Sequence, residues 1–173
     1  MHFSLLTTAT FLSFSAVAVA TPQIVGPGTE HLPIRNKYVW FASNYKASCL
    51  KNDAPLEKCT YSYNIIGDEA TGGASIVPAF NATCSATNVS PNDPQVPCEF
   101  NDNGPAGRSL NSSLIPALRP DATGSIQMQV SYQFVDQGDK TTSYKYIGDV
   151  RAPFAFDYFD IMTGEVIKLG NVN

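Results

Sequence analysis

Strict alternation of apolar and polar side chains is what most limits the folds open to this chain. Ile126, Met128, Val130, Tyr132 and Phe134 alternate with Gln127, Gln129, Ser131 and Gln133. A period of two places each set on its own face of an extended strand, whereas a helix would scatter both sets around its circumference. Tyr61, Tyr63 and Ile65 alternate in the same way with Thr60, Ser62 and Asn64, and Phe80, Ala82, Cys84 and Ala86 with Asn81, Thr83 and Ser85. Tyr38-Val39-Trp40-Phe41 is aromatic and β-branched and reads as the opening of the first strand. Thr142 to Ile147, with Tyr144 and Tyr146 on one face, forms a hairpin with the strand before it across Asp136-Gln137-Gly138-Asp139. Phe154 to Phe159 and Glu165 to Leu169 read as a last pair joined by Met162-Thr163-Gly164.

No segment carries a sustained helical stripe. Ser112 to Leu118 has room for one short helical turn, which Pro116 and Pro120 limit. Proline and glycine punctuate the chain at the spacing of an antiparallel sandwich or barrel. The expected fold is all-β, a compact antiparallel β-sandwich or barrel with disulfides. It occupies residues 34–173 as one domain, after an irregular arm, 21–33, that carries Pro22, Gly26, Pro27 and Gly28.

The disulfide expectation rests on compartment. Residues 1–20 read as a signal peptide: an apolar run ending in Ala18-Val19-Ala20, the small-x-small pattern before a cleavage at Thr21. The run lacks the usual Lys or Arg near its start. Removing it leaves about 150 residues, enough for one domain with its own core. Secretion to the extracellular space makes an even cysteine count a disulfide set. Cys49, Cys59, Cys84 and Cys98 allow three pairings. Short loops rich in turn formers favour Cys49–Cys59, across Asn52-Asp53-Ala54-Pro55, and Cys84–Cys98, across Ser90-Pro91-Asn92-Asp93-Pro94. A zinc site would want closely spaced cysteine pairs or histidines, and the sequence has neither arrangement.

Asn81, Asn88 and Asn111 head N-glycosylation sequons, which an exported chain presents to the modifying enzyme. Pro91 directly follows the Asn88 sequon and handicaps it. Asn81 falls on the polar face of its strand, where a glycan fits. Charged residues make up only 15% and the net charge is -4, without a Lys/Arg cluster, so neither nucleic acid nor an anionic membrane is an expected partner.

Catalytic residues are not expected. Only His31 remains after signal removal, it lies in the arm rich in proline and glycine, and no Gly-x-Ser-x-Gly elbow occurs in the sequence. Asp68, Glu69, Asp136, Asp139 and Glu165 mostly flank glycines or turns; Asp157 is expected on a wet strand face and Asp160 at the start of a turn. Asn101-Asp102-Asn103-Gly104 lacks the alternate-position oxygens of a calcium loop and reads as a turn. No cofactor and no metal are expected.

Tyr38-Val39-Trp40-Phe41-Ala42-Ser43-Asn44-Tyr45, Cys59-Thr60-Tyr61-Ser62-Tyr63-Asn64-Ile65, Ala82-Thr83-Cys84-Ser85-Ala86 and Pro97-Cys98 occur in this order. Together they resemble the Alt a 1-like (AA1-like) family of fungal secreted proteins. The segment Asn101 to Asp121 has no counterpart in that pattern, and no extra cysteine is present for an inter-subunit bridge. The resemblance implies a compact antiparallel β-barrel or sandwich from a filamentous fungus, an allergen-, elicitor- or effector-like protein without catalytic residues. The expected function is a secreted non-enzymatic interaction protein whose partner is an extracellular host or cell-wall protein. A small-ligand carrier with an apolar pocket is the alternative, and a secreted hydrolase using carboxylates such as Asp157 is a more distant one.

Overall fold

The computed structural model describes residues 29–32, 38–50, 58–71, 75–116, 125–153, 155 and 157–169. Among them, every regular element is a strand: β1 (Thr29–Leu32), β2 (Val39–Leu50), β3 (Lys58–Gly67), β4 (Ala70–Thr71), β5 (Ile76–Val77), β6 (Phe80–Val89), β7 (Val96–Pro97), β8 (Glu99–Phe100), β9 (Ser109–Leu114), β10 (Ser125–Val135), β11 (Ser143–Pro153) and β12 (Phe159–Leu169). The main sheet runs β7-β9-β10-β11-β12-β2-β3-β6-β8, antiparallel throughout, with β1 on β12 and β4–β5 as a separate hairpin. It is a nearly closed barrel. The two ends of the sheet meet in one five-residue run. Val96 and Pro97 pair with Ser112 and Asn111 of β9, and Glu99 and Phe100 pair with Thr83 and Ala82 of β6. Between the two pairs, the Cys98 N–H donates to the Leu110 carbonyl at 2.8 Å, and the Cys98 side chain is disulfide-bonded to Cys84 of β6.

Closure needs the strands to bend, and three irregularities supply it. The β2/β3 ladder shifts between Ser43 and Lys46, where Asn44 has φ 53°; the β3/β6 ladder shifts between Cys59 and Tyr61, and Asn88 on β6 has φ 59°. Asparagine is among the few residues that tolerate such angles. The third shift lies between Ile147 and Gly148, where β12 leaves β11. Here a glycine is required by contact: a Cβ on Gly148 would fall 2.7 Å from Ile161 Cγ2 and 3.0 Å from the Met162 carbonyl oxygen. β12 changes partner along its length, pairing with β2 over Phe159–Met162 and with β11 from Thr163 onward.

The interior is filled by aromatic rings. Tyr38, Trp40, Phe80, Tyr132, Phe134 and Tyr146 form a closed circuit, each centroid 4.4–6.0 Å from the next. Tyr45, Tyr63 and Phe159 form a second group, with Phe159 5.0 Å from Tyr45 and 5.7 Å from Tyr63. A buried Phe-sized side chain contributes about 1.5–3 kcal/mol, and each favourable ring pair about 0.5–1.5 kcal/mol more. The hydroxyls of Tyr61 and Tyr63 reach the buried Ser112 Oγ at 3.0 and 2.9 Å.

The strand positions read from alternation are found: Ile126, Met128, Val130, Tyr132 and Phe134 are all buried on β10. Three local expectations are corrected. The last stretch is a single strand, β12, in place of a pair joined at Met162-Thr163-Gly164, because it bridges β2 and β11 without turning. Asp160 therefore lies within that strand instead of starting a turn. Ser112 to Leu114 extend as β9, held between β10 and β7, where a helical turn had room. Thr29–Leu32, expected inside an irregular arm, pair as β1 with Val166 to Leu169. The signal segment 1–20 and the Asn52-Asp53-Ala54-Pro55 loop lie outside the described residues.

Candidate interaction surface

In a single-layer barrel only the inner face of each strand is covered, so an apolar residue at an outward position meets solvent. Tyr38-Val39-Trp40-Phe41 sends Trp40 inward and Val39 and Phe41 outward. Ile65-Ile66 sends Ile66 outward, and Ile161-Met162 sends Met162 outward. Strand register assembles these side chains. Phe41 lies opposite Ile66 on β3 and opposite Asp160 on β12, and Val39 lies opposite Met162. Tyr158 completes the face, its ring 6.4 Å from that of Phe41 and inclined by 27°. Val39, Phe41, Ile66, Tyr158 and Met162 are each 42–57% exposed. Single exposed apolar residues are ordinary, but four joined by register and a fifth, Tyr158, stacked on one of them form a patch of the kind that marks an interaction site.

The bulge at Asn44 positions Tyr158. Beyond it, the Tyr45 N–H donates to the Asp157 carbonyl at 2.9 Å, while the Tyr45 ring packs inside at right angles to Phe159. Residues 157 and 159 are thus held from both sides, and the intervening Tyr158 projects outward over Phe41. Burial pushes the Tyr45 hydroxyl pKa well above its ordinary value.

The candidate residues of the sequence are distributed as follows. Cys49–Cys59 staples β2 to β3 at facing positions, and Cys84–Cys98 staples the seam. Asn81 and Asn88 are exposed, Asn81 facing outward at the head of β6 and opposite Ile66; Asn111 is half-buried in β9 between Pro97 and Ser131. Asp157 and Asp160 are both exposed. His31 lies in β1 opposite Ile167. Asp136 and Asp139 cap the β10–β11 turn. Asp136 Oδ1 accepts from the Gly138 N–H at 2.7 Å, and the Asp139 carboxylate accepts from the hydroxyls of Thr141 and Thr142 at 2.6 and 2.7 Å. Among the described residues, no group of three His, Cys, Asp or Glu side chains is placed to hold a metal ion. An open hollow of about 360 Å³ lies among Lys46, Ala47, Ser48, Thr60, Ser62 and Thr87, on the outer side of β2, β3 and β6.

Arg108, which did not stand out in the sequence, and Asp102, read there as part of a turn, pin the segment after β8. The Arg108 side chain is only 6% exposed, its guanidinium carbon sits 3.9 Å above the Phe100 ring, and it pairs with the Asp102 carboxylate. Burial alone would raise the Asp102 pKa. The Arg108 bond and the N–H groups of Asn81 and Gly104 outweigh it and hold the carboxyl below its ordinary range. This is a structural clasp at the seam. The outward apolar face was legible in part: two large apolar residues side by side in a strand cannot both face inward, which is the signal that Trp40-Phe41 and Ile65-Ile66 carried. Met162 was hidden by the reading of a turn.

Compared with protein-family models, curated proteins and solved structures, the chain has no match.

Proposed function

We propose that this chain is a secreted, non-enzymatic interaction protein that meets an extracellular host or cell-wall protein through the apolar face of β2, β3 and β12. The observation that carries the reading is that face itself: Phe41 stacked with Tyr158, flanked by Val39, Ile66 and Met162, on a barrel whose ladder is stapled twice by disulfides. Aromatic anchors on a rigid frame are what dominate protein interfaces, because little entropy is lost on ordering them. Disulfides are compatible with an extracellular protein. The Alt a 1-like resemblance adds an effector-, elicitor- or allergen-like role for a filamentous fungus to the same proposal. The two groups of aromatic rings packed in the barrel interior favour this reading over a ligand carrier.

The test compares the purified protein, its N-linked glycans trimmed, with Phe41→Ser and Tyr158→Ser treated in the same way. Both positions are exposed, so stability should change by only about 0.5 kcal/mol. Capture of extracellular host and wall proteins should fall at least tenfold, about 1.4 kcal/mol. Undiminished capture by both variants, or reproducible hydrolysis of wall polysaccharides, esters or peptides that Asp157→Asn abolishes, would sink the reading.

A further inference from the structure

The outer face of the barrel places a sequon beside the apolar patch. Asn81 of Asn81-Ala82-Thr83 is the register partner of Ile66, which is the register partner of Phe41, so the three residues lie in one row across β6, β3 and β2. Neighbouring strands are about 4.8 Å apart, so the row spans about 10 Å, within reach of the first two sugars of an N-linked glycan.

The side-chain amide of Asn81 is also oriented. Asn101, which follows β8, donates its Nδ2 to Asn81 Oδ1 at 3.3 Å. β6 lies between β3 and β8 in the sheet, and the Asn101 N–H also bonds the Asn81 carbonyl, at 2.8 Å. Oδ1 is therefore drawn to the β8 side. The amide is planar with its two arms directed apart, so Nδ2, the atom that carries a glycan, is turned away from Asn101. The Asn101 bond uses the oxygen that glycosylation leaves unchanged.

We propose that the N-linked glycan on Asn81 lies along Ile66 and Phe41 and regulates the interaction face by covering it. This rests on the secreted, face-presenting reading above. A pyranose ring carries C–H groups on one face, which removes apolar surface from water when it packs on Phe41 and Ile66. The glycosylated protein keeps the face covered, and trimming of the glycan opens it to a partner.

The test uses the full chain secreted from a eukaryotic host, with a hydrophobic fluorescent dye as the probe. Mass spectrometry should find Asn81 occupied. Enzymatic trimming of the folded protein to the first sugar should raise dye binding several-fold. Phe41→Ser should remove most of that rise, and trimming an Asn81→Gln variant that retains the Asn88 site should give none. Trimming acts after folding, so a poorly secreted Asn81→Gln does not block the experiment. An unoccupied Asn81, or dye binding unchanged by trimming, overturns the proposal. Failure of the broader reading looks different: the dye would respond to trimming as expected, yet capture of host proteins by the trimmed form would be indifferent to Phe41→Ser.

Discussion

Cys84 and Cys98 are bonded across the line at which the barrel closes, Cys84 from β6 at one end of the sheet and Cys98 from the five-residue run that pairs with both ends. The backbone N–H of Cys98 is at the same time bonded to Leu110 of β9. One residue therefore joins β6 through its side chain to β9 through its main chain.

That geometry separates the two disulfides. Their loops are similar, with sequence separations of 14 and 10, so each removes a comparable entropy from the unfolded chain, worth about 3 kcal/mol. Replacing Cys84 and Cys98 together by alanine should cost that much and also abolish amide-exchange protection at Cys98 and Asn101. Replacing Cys49 and Cys59 should cost a similar amount while protection at the seam survives. Denaturant titration and residue-resolved exchange read both effects; equal exchange in the two variants would show that the bond does not hold the closure.

Val130 is fully buried at the centre of β10, and Gln133 faces outward opposite Lys145. Val130→Asp would bury a carboxylate with no partner and should prevent accumulation of folded protein. Gln133→Glu gains a cation across the ladder and should be nearly silent, within about 0.5 kcal/mol. Secretion yield and thermal midpoint distinguish the two, and similar behaviour would mean that the burial of β10 is misplaced.

The hydroxyls of Tyr61 and Tyr63 converge on Ser112 Oγ inside the barrel. Desolvation raises the pKa of both tyrosines, with the Ser112 bond as a smaller opposing effect. Ser112→Ala removes their shared partner and should cost about 1–3 kcal/mol. Restoring an apolar fit with Tyr61→Phe in the alanine background should recover part of the loss. Urea midpoints of the single and double variants measure it; an unaltered midpoint in the single variant would show that the hydroxyls find other partners.

Asp102 sets part of the acid sensitivity. Its folded-state pKa lies below the unfolded value, because the bonds from Arg108, Asn81 and Gly104 exceed the opposing desolvation. Its contribution is thus fully present above the unfolded carboxylate pKa of about 3.9 and is lost as pH falls through the folded value. Asp136 and Asp139 are lowered too, Asp136 first by the Asp139 N–H and Asp139 first by the Thr141 hydroxyl, and they act in the same direction. Asp102→Asn should start less stable at neutral pH and lose less between about pH 5 and pH 2. Identical pH slopes for the two proteins would remove Asp102 from the account.

The all-β class and the inward residues of β3, β6 and β10 were legible because alternation is local: a strand with one covered face needs a period of two wherever it sits. Short loops likewise favoured Cys49–Cys59 and Cys84–Cys98 over the other pairings. The amino-acid order alone did not determine how the sheet closes. Residues 96–100 carry two two-residue strands around a cysteine, and only the presence of β6 on one side and β9 on the other gives them partners. The same limit applied to β12, whose halves pair with different strands, and to Arg108, whose burial depends on Phe100 and Asp102 arriving beneath it. The apolar face was likewise a tertiary outcome. Val39, Phe41, Ile66, Tyr158 and Met162 come from three separate stretches of chain, and long-range register, with the Tyr158 ring packed on Phe41, is what brings them to one surface.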